Sequence, residues 1–268
     1  SHAHGQGYAD LHFLIPETIE NIDFGKGPYY ARKGNFNTAG YVNFKTKKAL
    51  DYNSVRTEFG QFNTHRILGM IDLINSESSN TYSYIATEYI STDGPFESPQ
   101  NFNRINVFGK YGTALSQSDD ITLTLSHFTS EWGASGQVPQ RAVDQGLITR
   151  FGAIDDTEGG QTSRTNVMLE HKRIINNSSF VNNRLFYSRY NFELFSNFTF
   201  FLEDPVNGDQ IRQHETRNLF GINSDFNKAF STKHLDGSWQ VGLQLRTDRI
   251  NDNELSHTLN RTETLVYY

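Results

Sequence analysis

Cysteine is absent from the 268 residues, proline occurs only 6 times, and methionine and tryptophan occur 2 times each. The missing cysteine excludes a disulfide framework, a thiolate metal ligand and a thiol nucleophile. There is also no apolar run of the roughly 18 residues that a membrane-spanning helix needs. That absence leaves a membrane β-barrel open, because its strands alternate lipid-facing and lumen-facing residues and keep the mean hydropathy low. Positive charge is in the minority, with 24 Lys and Arg against 30 Asp and Glu and a net charge of -6. With no basic stripe to neutralise phosphates, nucleic acid is not an expected partner. A nucleophile elbow, an H-E-x-x-H pair and a phosphate-cradling glycine loop are all missing. Acidic pairs such as Asp119-Asp120 fall in turn-like sequence, where solvation accounts for them. No catalytic residue is assigned, and the chain is not expected to be an enzyme.

What the sequence has is aromatic residues and a period of two. Phe and Tyr number 21 and 13, and beyond Lys48 the apolar pattern alternates in segments of about ten residues separated by turn residues, as in membrane barrels. Trp239, Val241, Leu243 and Leu245 share one face of a strand, with Gln240, Gly242, Gln244, Arg246 and Asp248 on the other. Ile121, Leu123 and Leu125 alternate with Thr122, Thr124 and Ser126 in the same way. The pattern predicts strands near 52–61, 64–74, 81–91, 102–115, 120–132, 163–175, 179–195, 215–230, 237–251 and 258–268. Short and long links between them largely alternate, the longest at 133–162 and 196–214. Outer-membrane barrels do this because their periplasmic turns are short and their extracellular loops long. The reading is all-β: an antiparallel up-and-down sheet of about ten strands. Aromatics such as Tyr82, Tyr84, Tyr89, Phe128, Tyr187, Tyr190 and Phe192 cluster toward strand ends, where a membrane-interface girdle would lie.

Residues 19–47 carry a more specific signal. Ile19, Glu20 and Ile22 precede a Gly27-Pro28 turn, followed by Gly34, Gly40, Val42, Asn43, Phe44, Thr46 and Lys47. In order and spacing this run resembles the end of the plug domain of TonB-dependent outer-membrane receptors, departing from it at Asn35-Phe36-Asn37-Thr38. The resemblance implies that residues 1–47 are the C-terminal part of a plug and 48–268 the N-terminal part of a transmembrane β-barrel. The family barrel has about 22 strands around a plugged lumen, so the chain reads as a fragment whose first and last strands should not pair. The implied function is active uptake across the bacterial outer membrane of a scarce solute: a ferric siderophore, a cobalamin-like cofactor or an oligosaccharide. The implied partners are that extracellular solute, possibly an iron complex, outer-membrane lipid, and the inner-membrane TonB complex through a segment missing here.

In the resembling family the stretch before the Ile-Glu strand faces the external ligand at the plug apex. His2, His4, Gln6 and Tyr8 offer hydrogen bonds and aromatic faces there and are the candidate substrate contacts; a polar loop that touches nothing is the alternative. His2 and His4 lack a nearby third ligand, so no metal site is assigned and no cofactor is expected. Asp144, Asp155, Asp156 and Glu158 lack the spacing of a calcium loop and read as a solvated acidic loop. The competing reading of the whole chain is a non-transporting surface β-protein such as a carbohydrate-binding sandwich, in which one face of each strand would meet a second sheet.

Overall fold

The computed structural model describes residues 10–34, 39–76 and 78–268. Among them are two antiparallel sheets. The smaller pairs β1 (Ile19–Lys26) with β2 (Gly40–Thr46). The glycines of the 19–47 run have steric work here: Gly27 turns with φ +84, and Gly40, at φ +144, lies where any Cβ would collide with the Gly25 carbonyl.

The larger sheet contains β3 (Ser54–Gly60), β4 (Thr64–Ser76), β5 (Thr81–Thr92), β6 (Phe102–Ala114), β7 (Asp119–Gly133), β8 (Gly159–Asn176), β9 (Ser179–Ser196), β10 (Ile211–Ser231), β11 (Asp236–Leu259) and β12 (Glu263–Tyr267). Each strand pairs with the next, and β3 and β12 are the two edges. This is the expected meander, with nine of its strands close to their predicted positions. The difference lies in β11, which runs on to Leu259. The break expected between 251 and 258 is absent: Asp252 takes φ +52 as a bulge opposite the register shift between His214 and Thr216, and the ladder continues through it.

Links 77–80, 115–118, 177–178 and 232–235 lie at one end of the sheet. Links 61–63, 93–101, 134–158, 197–210 and 260–262 lie at the other, so the three longest share an end. The longest of all holds a short helix, α1 (Gln140–Asp144).

Strand pleating divides the sheet into two unlike faces. One side-chain row runs Tyr111, Leu123, Leu169, Leu185, Ile222, Leu245 through successive strands. Its face is apolar and open: Val241 is 62% and Leu243 60% exposed, and no second sheet covers it among the described residues, which is the feature a sandwich would need. The opposite face carries a row of Leu68, Glu88, Asn106, Phe128, Arg164 and Tyr190 and meets the N-terminal segment. We call it the inner face. Ile15 and Leu50 of that segment pack there with Leu68, Met70, Tyr84, Ala86 and Phe108.

The girdle expectation needs correction. Tyr84 and Phe128 are fully buried, and Tyr190 and Phe192 nearly so, on the inner face. Only alternate residues can face outward, and of these aromatics Tyr89 and Tyr187 do so. Trp239, Val241, Leu243, Leu245, Ile222 and Leu185 are all exposed on this face, and a contiguous exposed apolar patch marks an interaction or membrane surface. Where such a face meets lipid, a charge near the membrane midplane costs about 2–4 kcal/mol. If this face does so, Leu243→Arg is expected to lower the recovery of folded, heat-modifiable protein from a membrane fraction. Gln244→Arg, on the inner face with a donor still available for the Arg32 carbonyl, is expected to assemble normally.

Candidate functional site

The site with the most chemistry is the junction between the N-terminal segment and the inner face. A single 3-10 turn, Pro16–Thr18, aims Glu17 at the sheet. Glu17 accepts hydrogen bonds from Arg66 Nη1 and Nη2 at 2.9 and 2.8 Å and from Arg56 at 3.0 Å. Arg66 also donates to Glu58 at 2.8 Å and, through Nε, to Glu88 at 2.7 Å. Glu88 is 1% exposed and accepts from Arg104 at 2.6 Å. Three guanidinium groups thus face three carboxylates, and no net charge is buried. The Arg66 guanidinium holds the Glu17 carboxyl below its ordinary 4.5, against a burial effect in the other direction.

Contacts to backbone carbonyls extend this dock. Asn106 Nδ2 donates to the His12 carbonyl at 2.7 Å, and Lys110 Nζ donates to the Thr46 and Lys47 carbonyls at 3.0 and 2.9 Å. The Tyr84 hydroxyl adds a bond to the Lys47 carbonyl at 3.0 Å. The motif residues Thr46 and Lys47 are therefore clamped through their backbone.

The other side of the segment is held more loosely. Gln244 Nε2 donates to the Arg32 carbonyl at 2.8 Å, but a cavity of about 850 Å³ separates the β1–β2 hairpin from β9–β11, lined by Asp23, Lys45, Arg184, Asp225 and Gln240 among others. A second cavity of about 460 Å³, lined by Lys48, Tyr82, Asp120, Glu170 and Lys172 among others, opens beside it toward the short-turn end.

Toward the long-loop end, residues 10–13 meet the wall. The Arg164 guanidinium lies 4.4 Å from the Phe13 ring centroid and donates through Nε to Asn166 and Ser188. The His12 ring packs 5.8 Å from Phe102. His2, His4, Gln6 and Tyr8 lie outside the described residues, as do Asn35–Thr38.

Above this wall the long loops are tied together. Asp155 accepts from Asn197 and Gln210 at 3.0 and 3.1 Å, and Arg261 donates to the Thr157 and Glu158 carbonyls. The loop is thus only partly the solvated acidic loop expected from sequence. Asp144 and Asp156 are exposed, but Glu158 is 5% exposed. Burial, with Asp155 nearby, pushes its carboxyl up to about 7. Burial acts on Asp155 in the same sense, but hydrogen bonds from Thr157, Asn197 and Gln210 prevail and hold its carboxyl low.

No protein-family model matches the sequence, and no curated protein does. Solved structures do match. The ferric-catecholate import receptor Fiu from E. coli K12 in its open form is 12% identical with a TM-score of 0.69, covering 94% of this chain and 42% of that one. The siderophore receptor PiuA from Acinetobacter baumannii is 11% identical with a TM-score of 0.74, covering 94% and 38%. The outer-membrane ferripyoverdine receptor of Pseudomonas aeruginosa, bound to ferripyoverdine, is 13% identical with a TM-score of 0.68, covering 94% and 34%. The fold is that of TonB-dependent siderophore receptors. The chain spans about two fifths or less of the length of these receptors.

Within this receptor fold, Glu17, Arg66, Glu88 and Arg104 carry no sequence motif. For Arg66, Glu88 and Arg104 the only signal is a charge at an inward-facing strand position, Glu17 in the 3-10 turn has not even that, and their pairing depends on the tertiary structure. Removing one partner of a buried ion pair costs about 3–5 kcal/mol. Glu88→Ala is expected to loosen residues 10–50 in the full-length protein, read as faster hydrogen exchange there, while Glu58→Ala at the half-exposed rim changes little. Because the Glu17 carboxyl titrates lower when docked, its stabilising contribution is complete above 4.5 and is lost as pH falls through the docked value. The protection of the same residues, exchange rate relative to the intrinsic rate at each pH, should fall with acidification, and Glu17→Gln should remove most of that pH dependence.

Proposed function

We propose that the chain belongs to an outer-membrane receptor that takes up a scarce solute, most consistently an iron complex, by active transport. In this reading residues 1–47 are the end of the plug and 48–268 the beginning of the transmembrane wall. Energy comes from the inner-membrane TonB complex, and no catalytic step is involved. The observation that carries the reading is the pairing of two unlike faces in one sheet: an open apolar face suited to lipid, and a polar face docked on the N-terminal segment. Support for an iron complex comes from the relatives, named as ferric-catecholate, siderophore and ferripyoverdine receptors.

His2, His4, Gln6 and Tyr8 remain the candidate solute contacts in this proposal. They precede Asp10, and residues 10–13 lie against the inner wall near the long loops, which supports an apical position for the stretch.

The test is uptake. Deleting the gene in its own host should abolish radio-iron uptake from one member of a panel of ferric catecholate, hydroxamate, citrate and pyoverdine-type complexes, and leave cobalamin uptake unchanged. Restoring the full-length gene should restore transport. Unchanged uptake across the iron panel, with loss of cobalamin or oligosaccharide uptake instead, would overturn the iron assignment and retain the transport reading. Truncating all four candidate side chains to Ala should weaken binding by about tenfold or more, since each lost hydrogen bond contributes about 1 kcal/mol.

A further inference from the structure

Glu158 is a buried acid that neither the ionic dock nor the candidate solute contacts use. It ends the 134–158 link, next to Gly159 at the start of β8, and the Ala134 amide donates to its carbonyl at 2.8 Å. Its carboxyl fills the space that any Cβ at Gly136, with φ +64, would occupy. The backbone amide of Asn197, from the 197–210 link, donates to the same carboxyl. One oxygen, Oε1, is buried with no hydrogen-bond partner among the described residues. Two long loops thus meet on one residue, 5% exposed, whose hydrogen bonding is incomplete.

Two charged groups act on this carboxyl: Asp155 from its own loop and Arg261 from the β11–β12 turn. Against it the 197–210 loop sets the neutral Asn197. Arg261 is engaged elsewhere, donating to the Thr157 and Glu158 carbonyls. Asp155 is saturated: the Thr157 amide and hydroxyl donate to Oδ1, and Asn197 and Gln210 donate to Oδ2. Glu158 Oε1 is left as the free carboxyl oxygen of the pair, where a calcium ion needs six to eight oxygens. The ligand that fits is a proton. An ionised Glu158 would be a buried charge beside a second carboxylate with one oxygen unsolvated. The neutral acid leaves an oxygen unpaired at far smaller cost.

We propose that Glu158 is a proton-binding site that latches the 134–158 and 197–210 loops together. Protonated, it stays packed against Gly136 and holds the Asn197 amide; ionised, it draws in water and releases them. Burial, with Asp155 beside it, holds the latched carboxyl at about 7, against 4.5 once the loops part and it is hydrated. Closing the latch therefore takes up a proton. Its contribution is complete below 4.5, declines as pH rises toward about 7, and changes no further above that. The latch follows from loop packing and goes beyond the transport reading, since it holds whichever solute is carried.

The experiment measures hydrogen-exchange protection, the rate relative to the intrinsic rate at each pH, for residues 134–158 and 197–210 of the full-length protein in mild detergent. Each unit between the two carboxyl values is a factor of about ten in the opening equilibrium. From about pH 5 to about pH 8 the wild type is therefore expected to lose about tenfold or more in protection of both loops. Glu158→Gln, neutral throughout, should retain at the higher pH the protection that the wild type has at the lower. Asp156→Asn, at an exposed neighbour in the same loop, should behave as the wild type does. Histidine is the other side chain that changes charge in this interval, and His257 bonds to the Gly208 carbonyl at 2.6 Å. His257→Gln should leave the loss in place. A smaller loss in the wild type, a loss that persists in Glu158→Gln, or one that His257→Gln abolishes would each overturn the latch. None of these results bears on solute uptake, so the transport reading stands or falls separately.

Discussion

Glu88, with 1% exposure, sits where a lone carboxylate could not remain charged, because removing an ion from water costs several kcal/mol unless a partner and further hydrogen bonds compensate. Arg66 and Arg104 provide that compensation from the neighbouring strands. Arg66 then has donors to spare, and two of them go to Glu17 of the N-terminal segment. A charge problem created inside the sheet is thus solved partly outside it. The sheet's inner face is complete only with the segment in place, and the segment, whose own sheet has two strands, is held by the face it completes. Around this ionic centre Ile15, Leu50, Leu68 and Tyr84 close an apolar cluster that keeps water out and the electrostatics strong.

The two-residue period made much of this architecture legible in advance. Trp239, Val241, Leu243 and Leu245 could be separated from Gln240, Gln244 and Arg246 without coordinates because a strand has only two sides. The same alternation located nine strands, and the inequality of the links showed which end carries the long loops. The hairpin of residues 19–47 was legible for another reason: Gly27 and Gly40 occupy backbone positions that exclude side chains, so their spacing is itself a geometric record.

The rest was not legible because it depends on who meets whom. Glu17 and Arg66 are 49 residues apart, and no local pattern links them. The buried aromatics obey the same alternation as the exposed ones. Tyr84 could be assigned inward only by its register with Asp72 and Lys110, and its aromatic character pointed the wrong way. The break expected after 251 did not appear because one left-handed residue, Asp252, can be absorbed as a bulge, and whether it is depends on whether the partner strand continues. Glu158 and Asp155 looked like ordinary loop acids, and only their tertiary partners Asn197, Gln210 and Arg261 distinguish them from Asp144 and Asp156.

Among the described residues the dock is also lopsided. Against β3–β6 the segment is held by charge-assisted bonds, each contributing about 1.5–3 kcal/mol, together with an apolar cluster. Against β9–β11, Gln244 to the Arg32 carbonyl is a neutral bond contributing about 1 kcal/mol, beside a polar-walled cavity of about 850 Å³. Among the described residues a force on the segment would part the β9–β11 side first, where the contact is slight and Arg184, Asp225 and Gln240 already line a polar space. The β3–β6 side would serve as the hinge, because parting it requires exposing Arg66 and Glu88 together and loses the compensation that permitted their burial.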